Sequence, residues 1–300
     1  MKFNRRSFIK STSLLTAGLF LPSNKLLYAL QQEFGSIQTL RGNIGIYTER
    51  GGTIGWYVTD DIVVVIDSQF PDTAPNFVKK LKEKTQRNID YLINTHHHAD
   101  HTSGNYYLNK FADKIVAHEK AVELQKEFYG KGENAGKQVY AGITFKDEHT
   151  IDLGKEKITL RHFWPAHTGG DAIMHFENTN VVHMGDIVFN RIYPFIDFPG
   201  GSNLHSWIRY IEKSLDLFDD DTAFIFGHGK TVTSTKNDLV YMKNYMNALL
   251  EYVQKQIDEG KSKEEVGNMG PIPGFEDHGS NWEGALKMSL TSAFEELTNS

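Results

Sequence analysis

The chain has 300 residues, 39% hydrophobic and 23% charged, which is the balance of an ordinary globular protein and excludes fibrous or disordered classes. It contains no cysteine, so disulfides, thiolate nucleophiles and thiolate metal ligands are ruled out, and any bound metal must be held by histidine and carboxylate. The formal net charge of −6 disfavours polyanionic partners, and no basic stripe suited to nucleic acid interrupts it.

The first 30 residues do not read as part of a fold. Lys2, Arg5, Arg6 and Lys10 precede an apolar run from Leu14 to Leu21, which is followed by Pro22. That run is too short to span a bilayer. The segment Asn4-Arg5-Arg6-Ser7-Phe8-Ile9-Lys10 resembles the twin-arginine export motif, with cleavage expected after Ala29. The resemblance implies a folded, metal-loaded chain delivered to the periplasm or otherwise exported. Removing residues 1–29 takes away five positive charges (Lys2, Arg5, Arg6, Lys10, Lys25) and no acidic ones, which moves the net charge from −6 to −11. No stable membrane span is expected in the mature chain, and residues 30–300 read as one domain because no linker or repeat divides them.

β-rich stretches follow at 44–48, 53–58 and 62–66, separated by Gly51-Gly52 and Thr59-Asp60-Asp61, and predict an antiparallel meander. Residues 72–85 predict a helix with Phe77 and Leu81 four apart. An apolar strand at 89–93 then runs into Asn94-Thr95 and a histidine cluster. Further strands are predicted at 158–163, 181–183 and 223–226. Helices are predicted at 204–218, 238–257 and 282–297, with apolar residues at spacings of three and four. Strands interleaved with helices, and polar residues at strand ends, predict sheets covered by helices.

The run Thr95-His96-His97-His98-Ala99-Asp100-His101 packs four imidazoles and a carboxylate into six positions. Without a metal such a loop repels itself when protonated. Alternate residues of an extended segment share a side, so His96 and His98 can bind one ion while Asp100 and His101 turn toward another.

This His-x-His-x-Asp-His pattern, on His96, His98, Asp100 and His101, resembles the signature of the metallo-β-lactamase superfamily. His167 in Pro165-Ala166-His167-Thr168-Gly169-Gly170-Asp171, Asp186 in Met184-Gly185-Asp186 and His228 in Gly227-His228-Gly229 match later motifs in the family's order. The resemblance covers roughly residues 37–230. It implies an α/β fold, an αββα sandwich of two mixed β-sheets flanked by helices, with a metal site at the edge of the sheets. It further implies two Zn2+ ions, with iron or manganese as alternatives: one on His96, His98 and His167, the other on Asp100, His101 and His228, and Asp186 bridging. The implied reaction is attack of a water activated between the ions on an ester, thioester, lactone or lactam carbonyl of a small-molecule substrate, with Asp100 orienting the nucleophile.

Asp186 stands where the best-known β-lactamases of the superfamily carry Cys or Ser, which moves the expectation toward thioesterases and lactonases. An alternative of a different class is a single-iron oxidoreductase of the same fold, similar to persulfide dioxygenases. The aromatic loop 193–201, through Tyr193, Phe195 and Phe198, is a candidate pocket wall, as are Trp56 and Tyr57. His97 is expected to pack beside the site, and His118, His149, His162, His175, His183, His205 and His278 to take no ion. Replacing Arg5 and Arg6 by Lys should abolish export, seen as loss of the protein from the periplasmic fraction; unchanged fractionation excludes the twin-arginine route.

Overall fold

The computed structural model describes residues 35–280 and 282–299; residues 1–29, which carry the expected export signal, lie outside them. Strands β1 (Ser36–Arg41), β2 (Ile44–Thr48), β3 (Ile54–Val58) and β4 (Val63–Ile66) form an antiparallel meander, as the three β-rich stretches predict. The unanticipated member is β1, a half-exposed edge strand with the polar sequence Ser-Ile-Gln-Thr-Leu-Arg. Helix α1 (Ala74–Lys82), with Pro75 in its first turn, crosses to β5 (Ile89–Asn94), which lies parallel to β4. Two single-turn helices, α2 (Ala99–Thr102) and α3 (Asn105–Leu108), precede β6 (Ala112–His118). Helix α4 (Glu119–Tyr129) and β7 (Ile143–Phe145) complete a seven-stranded mixed sheet in the order β1 to β7.

The second sheet is built from β8 (Glu148–Asp152), β9 (Lys157–Arg161), β10 (Ile173–Phe176) and β11 (Val181–His183), all antiparallel. After β12 (Phe189–Asn190) and helix α5 (Leu204–Leu217), β13 (Ala223–Ile225) joins parallel to β11. Then β14 (His228–Gly229) pairs with β12, and β15 (Thr233–Ser234) closes the edge beside β13. Helices α6 (Lys236–Asp258), α7 (Lys263–Gly267) and α8 (Ala285–Asn299) cover the outer face. Among the described residues no helix is long and apolar enough to cross a membrane.

Period-two alternation assigns the layers. Val64 and Ile66 of β4 face a core shared with β9, β10 and β13, whereas Val63 and Val65 face α1 and its Phe77 and Leu81. A third core joins the second sheet to α5, α6 and α8, through Trp207, Leu239, Met242, Met246, Leu249, Val253 and Leu290. Two mixed sheets face each other with helices on both outer sides, so the αββα sandwich is the observed fold. The stripe on α6 is core, as its spacing suggests.

The C-terminal segment is locked onto the rest by polar contacts. Glu296 of α8 accepts from the backbone N–H groups of Leu204 (2.6 Å) and His205 (3.0 Å), which places a carboxylate on the unpaired amides at the start of α5. His278 lies flat on Tyr245, with ring centroids 4.0 Å apart, donates from Nε2 to the Ile192 carbonyl (2.7 Å) and accepts at Nδ1 from the Tyr241 hydroxyl (3.2 Å). Beside it, Tyr193 and Gly279 exchange a backbone hydrogen bond of 3.0 Å. This is the reason Tyr193 cannot serve as a pocket wall: it is buried against Tyr245 and His278.

Burial pushes the His278 pKa down to about 4, only partly offset by its bond to Ile192. The folded state therefore holds this imidazole neutral where the unfolded chain protonates it. Stability is full above the unfolded value near 6.5 and falls as pH drops from there toward 4, by an amount on the order of 3 kcal/mol. His278→Gln should lower stability at pH 7 yet flatten the loss between pH 6.5 and 4 in urea-denaturation midpoints; an undiminished slope assigns the acid sensitivity to other groups.

Candidate metal centre

Four strand ends converge on one edge of the sandwich. β4 leads into Asp67, β5 into Thr95-His96, β11 into Gly185-Asp186, and β13 into Gly227 just before β14 begins at His228. Open sheets containing parallel strands place binding groups at such carboxyl ends. After β5 the chain turns into α2, whose first turn is closed by His101 N–H and Thr102 N–H donating to the His98 carbonyl, each at 3.0 Å. The turn brings His101 back against His96, ring centroids 4.3 Å apart, while Asp100 and His101 face His228. Gly185 has φ +52°, and a Cβ there would meet Thr95 at 2.8 Å; a Cβ on Gly227 would stand 1.9 Å from the Asp186 carboxylate. These two glycines let the strand ends close on one another.

The converging side chains form two sets. In the first, Nδ1 of His98 lies 3.1 Å from His96 Nε2 and 2.9 Å from His167 Nε2, with Asp186 Oδ2 3.5 Å from His167 Nε2. In the second, His228 Nε2 lies 3.0 Å from the Asp100 carboxylate and 3.3 Å from His101 Nε2. Asp186 stands between them, its Oδ1 3.2 Å from His101 Nε2 and its Oδ2 3.4 Å from His228 Nε2. The structure thus brings together all seven residues singled out by the motifs, His96, His98, His167, Asp100, His101, Asp186 and His228. His97, His98 and Asp197 make a third close group.

This donor set fits metal ions. Two ligands at about 2.1 Å from a tetrahedral zinc stand about 3.4 Å apart, near the separations seen here. Asp186 Oδ1 is buried without a hydrogen-bond partner, an expensive arrangement unless a cation faces it. Charge tells the same story. Burial, and then neighbouring imidazoles, hold His96 and His167 in the neutral, ligating form, with the His167 pKa down to about 3. Burial also disfavours charge on His101, but Asp186, Asp100 and Asp67 outweigh it and push its pKa well above the usual value. Positive charge is wanted where the two sets meet.

The outward nitrogens are fixed by partners that the motifs do not contain. Asp67 is fully buried, and its carboxylate accepts from His101 Nδ1 (2.7 Å), Thr95 Oγ1 (2.8 Å) and Thr95 N–H (2.8 Å). It sits at φ +64°, a conformation costing on the order of 1–3 kcal/mol that these three bonds hold in place. His98 Nε2 donates to Asp197 (2.9 Å), His167 Nδ1 to the Phe195 carbonyl (2.8 Å), and His96 Nδ1 faces Thr95 Oγ1 at 3.0 Å. Such partners set tautomer and ring orientation. Asp67 has one sequence signal, an acid ending an apolar strand next to the histidine strand. Asp197 has only its place in the aromatic loop.

The sequence profile of the metallo-beta-lactamase superfamily matches residues 47–230. The chain belongs to this superfamily. A probable hydroxyacylglutathione hydrolase of Schizosaccharomyces pombe is 28% identical over 180 residues, covering 59% of this chain and 62% of that protein. Among solved structures, DIM-1 metallo-beta-lactamase superposes with a TM-score of 0.60 at 18% identity, covering 71% of this chain and 97% of that one. The sec-alkylsulfatase Pisa1 from Pseudomonas sp. superposes at 0.66 and 14% identity, where 87% of this chain corresponds to half of the sulfatase. These identities establish the shared fold. Superfamily and neighbours together make the chain a metal-dependent hydrolase.

In this superfamily member a cavity of about 480 Å³ opens over the metal centre, lined by Asp100, Asp186, His228 and a set of aromatic rings. Phe195 lines it, its ring 5.5 Å from that of His98. The other anticipated wall residues do not. Trp56 is on the opposite face of β3, packed toward α1 with its indole N–H on the Ile46 carbonyl (3.1 Å), and Tyr57 lies between the sheets. Phe198 packs against the core of α5 and α6. In their place stand Phe70, Tyr129, Phe189 and Trp282, from four separate segments that no local motif connects. His97 is buried beside the site, its ring 5.4 Å from that of Phe128. Asp67→Asn and Asp197→Asn should each weaken metal binding by about 10–100-fold in competition with a chromophoric chelator, with the fold intact by circular dichroism. Unchanged affinity would deny these carboxylates their orienting role.

Proposed function

We propose that this protein is an exported binuclear zinc hydrolase acting on an ester, thioester, lactone or lactam carbonyl. The observation carrying the proposal is the position of Asp186 between two ligand sets, with His101 and His228 on one side and His167 on the other within 3.5 Å of its oxygens. His96, His98 and His167 would hold one ion and Asp100, His101 and His228 the other, with Asp186 shared. Bound zinc supplies Lewis acidity, polarising the substrate carbonyl and lowering the pKa of a nearby water toward about 7. The relatives support the carbonyl assignment by their names, since a hydroxyacylglutathione hydrolase and a β-lactamase both cleave acyl bonds.

The chain's own groups then have distinct tasks. Asp100, at the cavity wall and a quarter exposed, accepts the proton of the attacking water and orients its lone pair toward the carbonyl. Its pKa is held below the ordinary carboxylate range because His101 and His228 outweigh its burial, so it is ionised when required. Asp67, Asp197 and the Phe195 carbonyl fix the imidazoles, so little reorganisation accompanies reaction. The aromatic walls exclude water from the reacting carbonyl. No protein nucleophile is needed. The export part of the proposal is supported by residues 1–29.

Metal analysis of the purified protein should find about two zinc ions per chain, with turnover of at least one class among thioesters, lactones and β-lactams. His98→Ala should lower the metal content and reduce kcat/KM by about a thousandfold, equivalent to about 4 kcal/mol of transition-state stabilisation. One iron per chain with oxygen uptake would replace this proposal by the single-iron oxidoreductase.

A further inference from the structure

Away from the candidate ligands, the wall of the cavity above the metal centre is aromatic. Among the described residues its lining contains Phe70, Tyr129, Phe189, Phe195 and Trp282 beside His98, Asp100, His167, Asp186 and His228, and no Lys or Arg. Phe195 and Trp282 meet edge to face with centroids 6.1 Å apart, and Phe195 keeps 37% of its surface exposed, an unusual outlay for a large ring unless something covers it. Phe128, next to Tyr129, is 41% exposed.

Arg50, Arg191 and Lys230, on elements around the cavity, are engaged elsewhere. Arg50 lies over the outer side of the Phe70 ring at 4.3 Å and is paired with Asp72. Arg191 is held by Asp238 at 2.8 Å and stacks on Tyr241. Lys230 opens into a separate polar groove beyond His228, shared with Glu49, and donates to the Asp277 carbonyl. An anionic tail placed between these rings, away from the metal centre, would lose its hydration and meet no cationic side chain among the described residues, a substantial penalty, whereas an apolar tail gains about 25 cal/mol for each Å² it buries.

Resting on the carbonyl-hydrolase proposal, we propose that the site selects uncharged substrates whose apolar acyl or aryl group is held by Phe195, Trp282, Phe70 and Tyr129, and discriminates against substrates carrying an anionic tail. Specificity is then set by the aromatic rings, while the metal centre supplies only the reaction. About 480 Å³ accommodates a group of roughly drug-fragment size, so selectivity should rise with acyl length and then level off.

The test uses the metal-loaded protein with two matched series: 4-nitrophenyl esters of increasing linear acyl length, and the same esters ending in a sulfonate, chosen because sulfonate is a poor zinc ligand. In parallel, binding of the corresponding non-hydrolysable ketones is followed by calorimetry. The neutral ketones should bind at least tenfold more tightly than the sulfonated ones, and kcat/KM of the esters should show the same preference. Phe195→Ala and Trp282→Ala should each erase most of it, mainly through KM, with metal content unchanged. Equal or tighter binding of the sulfonated ketones, or a preference surviving both substitutions, overturns the assignment. Tight neutral-ketone binding without hydrolysis of any ester upholds the cavity assignment and sinks the carbonyl-hydrolase proposal instead.

Discussion

Everything at the edge of this sandwich depends on balancing charge where water is excluded. Three acidic side chains, Asp67, Asp100 and Asp186, meet five imidazoles in a region where most of these groups are fully buried. An isolated carboxylate in such surroundings is costly, and so is an isolated imidazolium. The local solution is pairing: Asp67 with His101, and Asp100 with His228. Asp186 is left over, its Oδ1 without a hydrogen-bond partner, with His101 and His228 on one side at 3.2 and 3.4 Å and His167 on the other at 3.5 Å. Divalent cations resolve the imbalance in a way that no rearrangement of protons can, because they supply charge to the carboxylates while leaving the nitrogens free to ligate.

That requirement explains the architecture above it. Groups that must sit within a few ångströms need anchors that do not move, and the anchors here are ends of buried strands from both sheets. Val63–Ile66 and the last three residues of β5, Leu92, Ile93 and Asn94, are buried, so the residues leaving them start from fixed positions. The second sheet positions Asp186 and His228 just beyond the ends of its neighbouring parallel strands β11 and β13. The distribution of ligands over four segments makes the centre a product of the whole sandwich, and His98, His101 and His167 are each tied to a different partner, Asp197, Asp67 and the Phe195 carbonyl.

The sequence made parts of this legible for physical reasons. The dense run from His96 to His101 admits few purposes other than metal binding, and the long apolar stripes of α5 and α6 define their buried faces. The alternation through 53–58 revealed a strand yet left its facing open: Trp56 and Tyr57 are adjacent and necessarily opposed, and neither face leads to the metal centre. Tyr193 and Phe198 misled because an aromatic loop residue can point to solvent, site or core, and the choice depends on His278 and α5, remote in the chain. Short strands such as β1 and β8 carry only one or two apolar residues, too few for a period-two signal, and form where neighbours offer unpaired backbone. Asp197 and Trp282 acquire meaning only once 193–201 and the C-terminal segment are folded together.

The segment between Asp186 and α5 carries two duties on adjacent residues. The Phe195 carbonyl and the Asp197 carboxylate steady two imidazoles, while the Phe195 ring walls the cavity. A lineage that reshapes this loop to accept a new molecule therefore disturbs the inorganic centre at the same time. Tyr129 also touches the metal-binding loop, through the Ala99 backbone and the ring of His97, whereas the Phe70 ring stands at the cavity wall under Arg50. Diversification of this scaffold has its cheapest route through Phe70, and the 191–200 loop is the part that drift should leave most alone.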